Sequence, residues 1–158
     1  MDFGLFCLMN QRDAAKPPER VLAECVEQVR LADEAGFGIA WFAEHHFSNY
    51  CLCPSPLLMA APCPGVTKRI RLATGVVVLP LYTPARLLAE IGFVDELSGG
   101  RLVLGVGSGY QPYEFELFGG DLVEWKQRTE EMLDMIDLGL RNPSFEYTGK
   151  HYRQPLTH

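Results

Sequence analysis

The sequence predicts an α/β fold built on a parallel sheet, and three observations lead there. Runs fit for strands begin near residues 3, 39, 70 and 101, a spacing of about 30 to 36 residues, the size of one strand-plus-helix unit. These runs are apolar at nearly every position, so the sheet they form must be covered on both faces. Helical segments separate them, and a helical crossover between neighbouring strands makes those strands parallel. Two architectures satisfy all three: a doubly wound sheet, or part of a (β/α)8 barrel.

Residues 3–9, FGLFCLM, make the first strand. Pro17 and Pro18 then open a helix in which Val21, Leu22, Cys25, Val26, Val29 and Ala32 recur at helical spacing, and Gly36 stops it. Residues 39–43 are the second strand. A helical stretch begins near Pro56 (PLLMAA) and is cut short by Pro62, Pro64 and Gly65. The third strand, residues 70–79 (IRLATGVVVL), is rich in β-branched side chains. Thr83 follows as an N-cap, with Pro84 at the first position of a helix that runs to Leu97. Residues 101–106 form the fourth strand, the glycine-rich GSGY comes next, and residues 124–140 make an amphipathic helix with Leu133, Ile136 and Leu140 on one face. In FEYTGKHYR, residues 145–153, Thr148 and Gly149 stand between two aromatic-bearing runs, which predicts a hairpin within residues 143–154, an excursion from the main sheet.

Length and composition bound the function. A chain of 158 residues with 47% apolar and 22% charged residues is sized and balanced as one soluble globular domain. The net charge of -6 leaves no clustered Lys and Arg to attract phosphates, so nucleic acid is excluded as a partner. The longest apolar stretch, residues 76–82, is far below the roughly 20 residues that span a bilayer, and no basic segment precedes an apolar run at the amino terminus. The expectation is a cytoplasmic protein with no membrane partner. Five cysteines, Cys7, Cys25, Cys51, Cys53 and Cys63, are an odd, scattered set that suits reduced thiols better than a disulfide framework. Cys51, Cys53 and Cys63 with His45 and His46 contain zinc-ligand types, but their spacings match no usual finger or ribbon, so no metal is expected.

Both candidate architectures put ligands at the carboxyl ends of the strands. Each predicted strand end has its own chemistry: Asn10 and Gln11 after the first, Glu44, His45 and His46 after the second, Pro80 after the third, Gly107, Ser108, Gly109 and Tyr110 after the fourth. The stretch LGVGSGY fails the dinucleotide fingerprint, because Tyr110 stands where G-x-G-x-x-G needs its last glycine. Gly107, Ser108 and Gly109 instead leave room for a broad planar ligand to approach the backbone, and Tyr110 offers a stacking face or a hydroxyl. A histidine at a strand end titrates near neutral pH, and Glu44 beside His45 can raise its proton affinity or orient it. Neighbours on an extended chain point opposite ways, so only one of His45 and His46 is expected to face a pocket.

Three segments carry a resemblance: AGFGIAWFAEHHF (residues 35–47), TKRIRLATGVVVLPLYTPARLLAE (67–90), and VDELSGGRLVLGVGSGY followed by EFELFG (94–119). Together they resemble the amino-terminal half of the bacterial luciferase-like flavin monooxygenases, in that family's order and spacing. The resemblance implies a (β/α)8 TIM barrel, here about its first four βα units plus the small hairpin, with residues 1–158 as the amino-terminal half-barrel. It implies reduced FMN and molecular oxygen acting on a small organic substrate, or, in a large branch, hydride transfer with a deazaflavin. Within the EHHF motif His45 falls at the position of a proton-handling histidine, with Glu44 beside it and His46 structural. The resemblance places the cofactor against Thr74, Gly75, Val76, Gly107, Ser108 and Tyr110, and Gly75-Val76 matches a bond that is often a non-prolyl cis peptide.

Departures refine these expectations. Gly107 stands where the luciferase α-subunit has a reactive cysteine, and Ser108 where it has an arginine that helps hold the flavin phosphate, so light emission from a long-chain aldehyde is not expected. A complete barrel needs eight strands, and this chain supplies four. An open half-barrel exposes the edges of its first and fourth strands and its apolar inner face. The expected partners are therefore a missing second half-barrel or another copy of the chain in a dimer. A truncated half-barrel without turnover, binding flavin weakly or serving in assembly, is the competing expectation.

Overall fold

The computed structural model describes residues 1, 3–120 and 123–157. In chain order the elements are β1 (Gly4–Cys7), α1 (Pro18–Glu34), β2 (Ile39–Phe42), α2 (Pro56–Ala60), β3 (Arg71–Thr74), β4 (Val77–Val78), α3 (Pro84–Ser98), β5 (Leu102–Val103), β6 (Val106–Gly107), α4 (Pro112–Leu117), α5 (Trp125–Arg141), β7 (Tyr147–Thr148) and β8 (Arg153–Gln154). The chain divides into two compact units, Met1–Val77 with Phe93–Val106, and Val78–Gly92 with Gly107–His158.

The first unit holds a parallel sheet in the order β1-β2-β3-β5, the arrangement that the strand-helix alternation predicts. Register sorts its residues by face: Cys7, Phe42 and Thr74 lie side by side on one face, and Phe6, Trp41 and Ala73 on the other. On the first face Cys7, Ala40, Phe42, Leu72 and Thr74 are all buried. The other face is open at β1, where Phe6 is 59% exposed, as the half-barrel expectation has it. β1 and β5 end the sheet.

Helix α1 follows from its spacing. Val21, Cys25, Val29 and Ala32 fall on one stripe and are buried, Pro18 sits in the first turn, and Gly36 leaves the helix at a φ of 84°, a conformation natural to glycine. The buried Asp33 then ties the helix to β3: its carboxylate accepts backbone N–H bonds from Lys68 (2.8 Å), Arg69 (3.0 Å) and Ile70 (2.7 Å). The Arg101 guanidinium donates to Thr67 Oγ1, Ile70 O and Ser98 O at 2.8 to 3.0 Å, fastening β5 to the same corner.

Two predicted strands are interrupted. The third is β3 and β4 rather than one run over 70–79, and the break is at Gly75-Val76, whose peptide bond is cis, as the resemblance implies. The fourth breaks between β5 and β6 around Gly105. There the Thr74 hydroxyl accepts the Gly105 N–H at 2.9 Å and donates to the Gly105 carbonyl at 2.7 Å. A Cβ on Gly105 would run into the Thr74 carbonyl oxygen, a backbone atom with nowhere to go. Gly105→Ala is therefore expected to cost about 2 kcal/mol, within the range for overpacked interiors, read as a lower denaturant midpoint. An unchanged midpoint would show that the two strands part freely.

The second unit contains features the sequence left unread. Helix α4, unforeseen over PYEFEL, starts with Pro112 in its first turn, buries Phe115, and ends before Gly119 at a φ of 70°. Helix α5 is where periodicity predicted it, but its buried residues are Trp125, Met132, Met135 and Ile136, whereas Leu133 and Leu140 are exposed. The apolar stripe had been set by leucine, and methionine fills it instead. β7 and β8 pair antiparallel as a hairpin, and Glu131 on α5 accepts the backbone N–H groups of Lys150, His151 and Tyr152 in its turn at 2.9 to 3.0 Å. No helix among the described residues is long and apolar enough to cross a membrane.

Candidate functional site

Because β1, β2, β3 and β5 are parallel, their carboxyl ends lie along one edge of the sheet, and Glu44, His45, His46, Gly75 and Val76 follow two of those ends within the first unit. His45 stands three residues beyond Phe42, the last residue of β2. Its backbone N–H donates to Cys53 O at 3.2 Å, and its half-buried ring meets the ring of Tyr50 edge-on, with centroids 4.9 Å apart and planes at 73°. His46 turns inward, 8% exposed, and its Nε2 is 2.9 Å from Oε1 of Glu44, whose side chain is fully buried.

One bond of the Glu44 carboxylate runs to His46, two residues on. The reason is the period of two in an extended chain: residues 44 and 46 share a side and residue 45 points the other way. The alternation that separated the two histidines could also have paired the acid with the second of them.

Thr74 is fully buried and its hydroxyl is engaged twice with Gly105. Gly75 and Val76 are half-buried at the rim itself. A Cβ on Gly75 would lie 3.4 to 3.5 Å from Trp41 and Phe6 atoms, so this glycine packs directly against apolar groups. An apolar wall beside a bare stretch of backbone is the kind of lining that a planar ring system can approach.

Gly107, Ser108 and Tyr110 belong to the second unit. Gly107 is half-buried, while Ser108 and Tyr110 are exposed, Tyr110 at 67%. Ser108 and Gly109 line a hollow of about 490 Å³ with Trp125, Lys126, Thr129 and Glu130.

The five cysteines are all buried free thiols. Burial pushes the Cys53 and Cys63 thiols up to about 12, so both stay protonated at neutral pH and are poor metal ligands or nucleophiles. Among the described residues no group of three or more His, Cys, Asp or Glu side chains is arranged to hold a metal ion.

A parallel βα array with a histidine and a glycine-valine pair at its strand ends is the arrangement of a barrel-type α/β fold. The family model for luciferase-like monooxygenases matches residues 1–158, and the chain belongs to that family. An uncharacterised protein of Sinorhizobium fredii is 51% identical over 99% of this chain and 45% of its own length. The oxygenase component of the flavin-dependent trigonelline monooxygenase of Acinetobacter baylyi is 32% identical over 99% of this chain and 44% of its own length. Among solved structures, the monooxygenase RslO1 of Streptomyces bottropensis superposes with a TM-score of 0.93 over 98% of this chain and 47% of that one, at 28% identity. The oxygenating constituent of 3,6-diketocamphane monooxygenase from Pseudomonas putida, in complex with FMN, gives 0.90 at 24% identity over 98% and 43%. A coenzyme F420-dependent reductase of Methanopyrus kandleri gives 0.75 at 21% over 98% and 44%, and these last two likenesses speak for the fold. The chain thus has a luciferase-like TIM-barrel fold and spans about half the length of the relatives it matches.

Proposed function

We propose that this chain supplies the ring-facing part of an FMN site in a flavin-dependent monooxygenase that uses reduced flavin and molecular oxygen on a small organic substrate. The observation that carries the reading is the joint placement of His45, Gly75 and Val76 at the strand ends of a chain whose sequence relatives include a flavin-dependent oxygenase. Bound FMN would supply the oxygen-activating chemistry, and the protein's own groups do the rest. His45 gives or takes the proton at its imidazole, facing away from the buried Glu44–His46 pair. Gly75 and Val76, with Phe6 and Trp41 behind them, bound the ring face and keep water from it. Gly107, Ser108 and Tyr110 are the proposed further cofactor contacts.

FMN is preferred to a deazaflavin because a relative above 30% identity is the oxygenase component of a flavin-dependent monooxygenase, whereas the F420-dependent neighbour shares only the fold. Closure of the sheet is assigned to a second half-barrel, whether a further polypeptide segment or another copy of the chain, because β1 and β5 end the sheet and Phe6 is open beside one of those ends. The test is a fluorescence titration of the purified chain with FMN, and in parallel with a deazaflavin, with light scattering recorded on the same samples. Saturable micromolar FMN binding by a defined oligomer is expected. Binding confined to aggregate, or none, would reject the chain as a flavin-binding unit in its own right and favour the non-catalytic remnant.

A further inference from the structure

Cys7 is the last residue of β1 and Cys25 lies on the buried stripe of α1, so strand and helix each bring a thiol to their common boundary in the first unit. Both residues are 3% exposed, and their thiols are hydrogen-bonded to each other. Both main chains are held in regular structure: the Cys7 carbonyl accepts the Ala43 N–H at 3.1 Å, and Cys25 sits inside the 17-residue helix. The two side chains also line one hollow of about 270 Å³, whose wall includes the half-buried Lys16 and Glu24 and the exposed Gln28. The pair, although buried, therefore adjoins space that reaches the surface and admits a molecule as small as water or peroxide.

We propose that Cys7 and Cys25 form an oxidant-responsive dithiol, which hydrogen peroxide closes to a disulfide joining β1 to α1. The pair differs from the other three thiols, Cys51, Cys53 and Cys63, which burial pushes up. Donation from the Cys7 thiol holds Cys25 below its ordinary range against the opposing pull of burial, while Cys7 itself is pushed up by that bond and by burial. Cys25 is accordingly the attacking sulfur. Its thiolate takes one peroxide oxygen as a sulfenic acid; the O–O bond breaks, and the released hydroxide takes up the proton that Cys25 gave up, leaving as water. The Cys7 sulfur then attacks the Cys25 sulfur. The S–S bond forms, the S–O bond breaks, and the departing hydroxide carries off the Cys7 proton as a second water. Two thiols lose two electrons, and one peroxide gains them. The step needs no cofactor and is independent of flavin binding.

Peptide mapping of the full chain tests the pairing. The reduced, folded protein is treated with hydrogen peroxide, unfolded in the presence of an alkylating agent, digested and read by mass spectrometry. One disulfide is expected, linking the Cys7 and Cys25 peptides, with Cys51, Cys53 and Cys63 alkylated and all five thiols recovered on adding dithiothreitol. Dimedone, which traps sulfenic acids, reports the order of attack: it should label Cys25 in Cys7→Ser and leave Cys7 unlabelled in Cys25→Ser. Five alkylated thiols in the peroxide-treated wild type would overturn the proposal, and that result needs no substituted protein. A link between any other pair, or a Cys7–Cys25 link that forms only in denaturant, would overturn it equally. Labelling of Cys7 in Cys25→Ser with none of Cys25 in Cys7→Ser would overturn the assignment of Cys25 as the attacking sulfur.

Discussion

His45→Ala should lower the substrate-dependent part of reduced-FMN oxidation by about 10² to 10⁴-fold, the range over which positioned proton transfer usually contributes, while leaving FMN binding in place. The main-chain bond to Cys53 O survives any substitution except proline, and the ring is half-buried at the rim, so its loss leaves no sealed cavity. His46→Ala is the contrasting variant. It removes a hydrogen-bond partner from a carboxylate with a fully buried side chain, so its effect should appear first as lost stability. A His45→Ala protein that oxidises reduced FMN at the wild-type rate with an added organic substrate present would remove His45 from the proposed chemistry. A drop in both variants tracking their melting temperatures would point to unfolding.

Asp33→Ala is expected to destabilise the first unit by about 3 kcal/mol, because three backbone N–H groups, that of Ile70 buried and those of Lys68 and Arg69 partly so, lose a charged acceptor together. Burial alone would push this carboxyl up. The N–H groups of Lys68, Ile70 and Arg69, with the Arg69 charge, outweigh burial and hold it below the ordinary aspartate range. The sign follows: the native state prefers the ionised form, so the contribution is fully present above the unfolded value, about 3.9, and is lost as pH falls through the lower native one. Denaturant melts of wild type and Asp33→Ala should therefore differ most at neutral pH and converge in acid. A constant gap from neutral pH to pH about 2 would show that the carboxylate's charge does not matter.

Much of the fold was legible because its signals are periodic. Pro18, the four-residue spacing of Val21, Cys25 and Val29, and Gly36 place α1 almost to the residue. What escaped depends on partners distant in sequence. The residues 70–79 look like one strand, and only the Gly105 backbone, clasped by Thr74 from across the sheet, shows why the run is interrupted near Gly75. Helix α4 is six residues long, too short for periodicity to separate from a turn, and is held by the burial of Phe115. On α5 the leucines advertised a core face that the methionines occupy, which composition alone cannot rank. At the site, His45 and the Gly75-Val76 rim were accessible through the family resemblance, and the tie between Glu44 and His46 through alternation. Tyr50 was not, since its closeness to His45 depends on how the segment after Phe47 folds back.

Asp33 and Glu131 do the same thing in the two units: a single helix-borne carboxylate captures three consecutive backbone amides of a distant segment, residues 68–70 in one case and 150–152 in the other. Both carboxyls are held below their ordinary values by those amides against the opposing pull of burial. They are cross-links written in protons. Where a secreted domain of this size would be stapled by sulfur and loosened by a reductant, this chain, with its thiols buried and unjoined, is expected to loosen in acid and not on reduction. Lowering the pH of a preparation should release β3 and the hairpin at their anchor points, reversibly and without a change in any covalent bond.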